Sequence, residues 1–274
     1  MNVRQERWPA PATTRLVTVA NQKGGVGKTT STVNIAAALA LHGLRTLVID
    51  LDPQGNASTA LSIEHAVGTP SVYDALLGGR PLVDQVVKCE ITPLLTCVPA
   101  TLDLAGADIE LTSQVAREYR LRRAVESYLE EASERPDYVL IDCPPSLGLL
   151  TLNALVAARE VLVPIQCEYY ALEGLAQLLN TVELVRSHLN PELAVTNVLL
   201  TMYDSRTRLA DQVAAEVRAH FGEIVLTPVI PRNVRVSEAP GFGQTVMTYD
   251  AGSRGAIGYL EAARELAERG RAHG

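Results

Sequence analysis

Lys23-Gly24-Gly25-Val26-Gly27-Lys28-Thr29-Thr30 is the stretch whose reading decides the fold. The apolar run Leu16-Val17-Thr18-Val19-Ala20 precedes it, and a segment rich in Ala, Val, Ile and Leu, residues 30–41, follows it. Strand, glycine-rich turn, Lys-Thr and helix, in that order, is the layout of a phosphate-binding loop. Glycines let the backbone turn several N–H groups inward, and the helix that follows aims its positive end at the same point. Lys28 brings a point charge for β- and γ-phosphates, and the Thr29 hydroxyl stands where a magnesium ion is held. The common loop carries glycine where this chain has Gln22, and here a second lysine, Lys23, opens the loop. Lys23 cannot easily curl back onto phosphates that Lys28 already occupies. It can reach those of a second copy, supplying a cation in trans.

Outward from the loop, apolar runs alternate with helical patterns. Residues 44–50 read as a strand ending in Asp50, followed by Leu51-Asp52-Pro53-Gln54-Gly55-Asn56. Residues 137–142 read as another, ending in Asp142 before Cys143-Pro144-Pro145-Ser146, where two prolines stop the strand. Further strands are expected over residues 94–98, 160–166, 195–202 and 224–230. Helices are expected over residues 71–77, 102–111, 117–131, 149–158, 171–189, 209–220 and 254–269, and residues 231–243 read as irregular. This alternation predicts an α/β fold of three layers, a mostly parallel twisted sheet with helices on both faces. Residues 15–274 read as a single domain. Residues 1–14, polar and carrying Pro9 and Pro11, read as a flexible tail.

The 274 residues are 47% hydrophobic and 20% charged, ordinary for a globular protein, with a net charge of −7. Any contact with nucleic acid must therefore come from a local basic patch. The four cysteines show no C-x-x-C spacing, which argues against a zinc ribbon or a short redox motif. No apolar run is long enough to span a bilayer, and residues 1–14 lack the apolar core of a signal peptide.

Three strand-end acids, Asp50, Asp52 and Asp142, accompany the loop. Nucleoside-triphosphate hydrolysis requires Mg²⁺, a positioned water and cationic stabilisation of the transferring phosphoryl group. Asp142 fits the acid that holds the magnesium shell through water. Asp50 and Asp52 lie two apart and share a face if the strand continues. One then joins the metal shell and the other orients the attacking water. A capping role in a turn is the alternative for each.

Four separated motifs resemble the deviant-Walker ATPases of the ParA/Soj chromosome-partitioning family. They are Lys23-Gly24-Gly25-Val26-Gly27-Lys28-Thr29, Asp50-Leu51-Asp52-Pro53-Gln54-Gly55-Asn56, Asp142-Cys143-Pro144-Pro145-Ser146 and Ile230-Pro231-Arg232-Asn233-Val234-Arg235. Glu168-Tyr169-Tyr170-Ala171-Leu172-Glu173-Gly174 and Thr201-Met202-Tyr203-Asp204 resemble the same branch. The resemblance spans roughly residues 15–268. It implies a P-loop NTPase fold and Mg²⁺-dependent ATP hydrolysis, with Lys23, Lys28 and Asp52 catalytic. Lys23 would cross the interface of an ATP-bound homodimer, and Asp52 would be the acid whose loss blocks hydrolysis. ATP would lie against residues 23–30, with Pro231, Arg232 and Asn233 bordering the adenine. Mg²⁺ would be held by Thr29, Asp50 and Asp142. Arg206 and Arg235 would contact double-stranded DNA without reading its sequence, within a local basic set that includes Arg208, Arg232 and Arg254. A ParB-type centromere-binding partner and a cytoplasmic, nucleoid-associated location follow from the same resemblance. Only some 14 residues precede the first strand, too few for the helix-turn-helix of the longer plasmid relatives.

The alternative is a MinD-like ATPase that cycles on membranes. Such a protein ends in a basic amphipathic helix with bulky apolar residues. Residues 260–269, with small apolar side chains and three glutamates, argue against stable membrane association. A nitrogenase-reductase-like electron carrier would need paired cysteines at an iron–sulfur cluster, and the pattern around Cys97 and Cys143 lacks that signature.

Overall fold

The computed structural model describes residues 7–168 and 173–272. Its centre is β1 (Arg15–Val19), flanked by β5 (Tyr138–Asp142) and β6 (Glu160–Gln166). Beyond β5 lie β2 (Thr46–Asp50), β4 (Leu95–Val98) and the two-residue β3 (Val87–Lys88). Beyond β6 lie β7 (Ala194–Tyr203) and β8 (Val225–Pro231). All neighbours are parallel except β3, which runs antiparallel to β4 and closes that edge.

Alternation along β5 shows why the sheet is covered twice. Val139 and Ile141 join one buried cluster, whereas Tyr138 and Leu140 join the other. A strand buried on both faces reads as a continuous apolar run, and that is what residues 138–141 show. One face is covered by α3 (Val72–Leu76), α4 (Ala107–Thr112), α5 (Arg120–Glu131), α6 (Leu149–Ala157), α7 (Glu173–His188) and α8 (Arg208–Phe221). The other carries α1 (Lys28–Leu41), α2 (Asn56–Ala60), α9 (Val234–Glu238), α10 (Val246–Tyr249) and α11 (Arg254–Ala272). The second half of α1, residues 35–41, is apolar all round, and the helix packs against both the sheet and α11. Ala36, Ala37, Ala38 and Ala40 on α1 meet a helix that offers Ala262, Ala263 and Ala267, so the two pack closely. The expected three-layer α/β architecture is the one found.

Three readings need correction. The supposed tail is packed where it is described: Trp8 is buried, stacks on His42 at 3.9 Å between ring centroids and donates its backbone N–H to the His42 carbonyl. Residues 1–6 lie outside the described residues. Residues 231–243 are not irregular. They form α9 and a 3-10 turn over Ala239–Phe242, and the Asn233 side chain caps α9 by accepting the Arg235 N–H at 2.8 Å. Strand β2 ends at Asp50, so Asp50 and Asp52 do not share a strand face.

Candidate functional site at the carboxyl ends of the strands

The glycine-rich loop leaves the end of central β1 and enters α1. Gly27 caps α1 with φ 88°, in the left-handed region, and Gly25 has φ 75°. A side chain at either would be strained. Asn21 fixes the entrance: its Oδ1 accepts the Lys23 N–H at 3.0 Å, and its Nδ2 donates to Pro164 O of β6 at 2.8 Å. Thr201 of β7 fixes the crown, its hydroxyl donating to Val26 O at 2.8 Å. Lys28 folds back into the loop, and its Nζ donates to Lys23 O at 3.2 Å. Burial lowers the Lys28 pKa, against the pull of Asp142 and Asp52. Lys23 is half-buried, and no carboxylate pairs with its ammonium among the described residues.

Strands β2 and β5 pair in register, which sets Asp50 beside Asp142, and both are fully buried. Burial raises both pKa values, Asp50 to about 6 and Asp142 to about 8. The charge on Asp50 adds to the rise at Asp142. Asp50 is well supplied with donors: Ser58 N–H at 2.9 Å, Ser58 Oγ at 2.8 Å and Asp52 N–H at 3.1 Å. Asp142 has side-chain donors only. Its Oδ1 accepts the Thr32 hydroxyl at 2.9 Å, a hydroxyl that also lies 3.0 Å from Lys28 O, and the nearby Thr29 hydroxyl, like that of Thr32, works against the rise in its pKa. Asp142 Oδ2 is buried with no hydrogen-bond partner among the described residues. Asp52 is buried just beyond β2, and its Oδ1 accepts the Gln54 N–H at 3.0 Å in an Asx turn.

Thus the structure brings Lys23, Lys28, Thr29, Asp50, Asp52 and Asp142 to one end of β1, β2 and β5. Such a crevice, outside the carboxyl ends of parallel strands, is where this fold class binds its ligands. Among the described residues no three His, Cys, Asp or Glu side chains converge closely enough to chelate a metal by themselves.

A family model described as an AAA domain matches residues 14–195. The sporulation initiation inhibitor protein Soj of Bacillus subtilis is 52% identical over 256 residues, 93% of this chain and 99% of that protein. The chromosome partitioning protein ParA of Caulobacter vibrioides is 54% identical over 257 residues, 94% of this chain and 95% of that protein. The chain belongs to the ParA/Soj family of chromosome-partitioning ATPases. Among solved structures, a cobyrinic acid a,c-diamide synthase from Mycobacterium smegmatis with bound ADP and magnesium superposes with a TM-score of 0.79. It is 41% identical, and the match covers 94% of this chain and 95% of that one. The septum site-determining protein MinD of Pyrococcus horikoshii, at 24% identity and a TM-score of 0.72 over 93% and 96% of the two chains, shares the fold.

Elsewhere in this ParA/Soj chain, Pro231 ends β8 and Arg232 follows it, its N–H donating to Tyr203 O at 3.0 Å and its guanidinium pairing with Glu168 at 3.1 Å. Arg206 makes a two-pronged pair with Asp204, at 2.9 and 2.8 Å, and holds the Asp204 pKa down to about 2. Arg235 pairs with Glu238 at 3.0 Å and Asp250 at 3.4 Å. The basic set is therefore partly neutralised within the chain. The motif at residues 168–174 lies largely outside the described residues. Asn21, Thr32 and Ser58 carry no motif of their own, and sequence reasoning missed them. Only their bonds to the loop and to the acids reveal their work.

Proposed function

We propose that this ParA/Soj family member is a DNA-partitioning switch in which ATP joins two copies face to face on DNA and hydrolysis releases them. The observation that carries the reading is the pairing of the phosphate loop with Asp142, whose buried Oδ2 has no hydrogen-bond partner among the described residues. A buried carboxylate oxygen left without a donor is costly, and a hydrated cation beside it removes that cost. Thr29 and Asp142 fit a magnesium ion, Thr29 directly and Asp142 through water. Magnesium supplies charge neutralisation on the phosphates when bound. The chain's own residues do the rest. The N–H groups of residues 24–29 and the Lys28 ammonium hold the phosphates. Asp52 orients the attacking water. Lys23, unpaired by any carboxylate among the described residues, reaches the phosphates of the second copy. Pro231, Arg232 and Asn233 border the base.

DNA binding is the work of Arg206 and Arg235 and needs both copies, since two weak patches acting together bind far more tightly than one. A ParB-type partner then speeds hydrolysis. The apolar face of α11, including Tyr259, Ala263 and Leu266, is packed into the core, which leaves that face nothing to offer a lipid surface. The test compares ATP-dependent binding to random-sequence DNA and to acidic liposomes. Retention on DNA alone, lost with ADP, supports the reading, and retention on liposomes alone replaces it with a membrane-cycling ATPase.

A further inference from the structure

Helix α6 begins seven residues after Asp142 and has no side-chain cap of its own. Its N-cap is Gly148, which carries no side chain. An uncapped first turn leaves backbone N–H groups without partners. Here the missing acceptor comes from 42 residues upstream: Asp108, on α4, accepts the Leu150 N–H through Oδ1 at 3.0 Å. A carboxylate is also the favoured charge at a helix N-terminus.

Gly148 tells the same story from the other side. Its φ of −76° and ψ of −171° are open to any residue, so its backbone does not demand glycine. The space around it is taken by Asp108: a Cβ at Gly148 would stand 2.4 Å from Asp108 Oδ2 and 3.1 Å from its Cγ, so the carboxylate would have to move. The glycine makes room for this one carboxylate.

The segment so held is residues 143–148, the loop that leaves the Asp142 end of β5. Its start is tied to the sheet where Cys143 N–H donates to Val19 O at 3.4 Å. Its middle is tied where the Thr151 hydroxyl donates to Ser146 O at 2.6 Å. Pro144 and Pro145 stiffen the path between. Asp108 is the tie at the far end. We infer that Asp108 is a positioning residue for ATP hydrolysis: seated in the space left by Gly148, it holds the loop between Asp142 and α6 in its working shape. The inference rests on the ATPase reading above. Asp142 itself stays pinned in the sheet between β1 and β2, so nucleotide binding does not depend on Asp108.

The test uses the full chain and four variants, Asp108→Ala, Asp108→Asn, Gly148→Ala and the double Asp108→Ala/Gly148→Ala. Asp108→Ala should lower kcat for ATP hydrolysis roughly tenfold or more, as expected when a reacting arrangement is loosened, with KM changed less than about twofold. Asp108→Asn, which keeps an oxygen acceptor at the same reach, should recover most of the rate. Gly148→Ala should be as damaging as Asp108→Ala, yet add nothing in the double variant, where the carboxylate is gone. Hydrogen exchange at the Leu150 amide should quicken in Asp108→Ala. An unchanged kcat beside a lowered melting temperature makes Asp108 a structural cap and overturns the inference. So does additive loss in the double variant. If the wild-type chain hydrolyses no ATP, the functional reading fails, and unchanged exchange at Leu150 would still reject the latch by itself.

Discussion

Ser58 donates twice to one oxygen of Asp50, through its N–H at 2.9 Å and its hydroxyl at 2.8 Å. The same hydroxyl accepts the Ala100 N–H at 3.2 Å, so one serine joins α2, the end of β2 and the segment after β4. Asp50 is fully buried, and these bonds offset part of the burial that raises its pKa. Ser58→Ala removes two of the three bonds. It should destabilise the chain by about 1–3 kcal/mol, the usual cost of unpairing buried polar groups. Urea denaturation measures this, and a change within the scatter of ordinary surface variants would show that Asp50 finds other donors.

Thr201 reaches from β7 to the crown of the phosphate loop. Thr201→Val keeps the shape and removes the hydroxyl. The loop then loses the bond at Val26 O, and nucleotide affinity should fall about fivefold, the equivalent of roughly 1 kcal/mol for one lost bond. A titration with a fluorescent ATP analogue checks it. Equal affinity in the two proteins would mean that the loop holds its shape without β7.

The buried acids give the nucleotide-free chain a pH dependence of definite sign. Asp50 and Asp142 are raised to about 6 and about 8, above the ordinary carboxylate range. The folded chain therefore binds their protons more tightly than the unfolded chain does. Stability is full at acid pH and is lost as pH rises from about 4 through about 8. Thermal melting of the nucleotide-free protein should show a falling melting temperature across this window. Asp142→Asn should flatten the upper part of the fall, and a melting temperature that rises toward pH 8 would contradict the assignment.

Arg206 and Arg235 each begin in an ion pair with the chain's own carboxylates. Both are exposed, where such pairs are worth little, so phosphate can displace the partner. In a dimer, Arg235→Ala removes two phosphate contacts. Its DNA affinity should fall, and the slope of log affinity against log salt should flatten by about 2. Arg235→Glu should abolish DNA retention and leave ATP binding intact. An unchanged salt slope would place the DNA elsewhere.

Much of this was legible in the sequence because it depends on near neighbours. The phosphate loop needs glycines, Lys28 and Thr29 in a fixed order between a strand and a helix, and that order can be read directly. The strand-end acids stand out because Asp50 and Asp142 each close an apolar run, and burial on both faces makes such runs continuous. The short α9 was missed because five residues show no period, and its start depends on the Asn233 cap. Trp8 was misread as part of a flexible tail, since nothing near it in the chain announces its stack on His42.

The sequence alone determined the alternation of strands and helices, the phosphate loop and its unusual first lysine, because backbone conformation and binary burial are set locally. Only the tertiary structure decided how the acids divide their work. Strand register put Asp50 beside Asp142, Ser58 supplied two of the donors of one, and the other was left with a buried oxygen that has no hydrogen-bond partner among the described residues. Only the tertiary structure decided, too, that Gly148 is a space for Asp108 rather than a turn residue. Hydrogen bonds between residues tens of positions apart leave no period or spacing in a chain, because the distance that matters to them is measured in space.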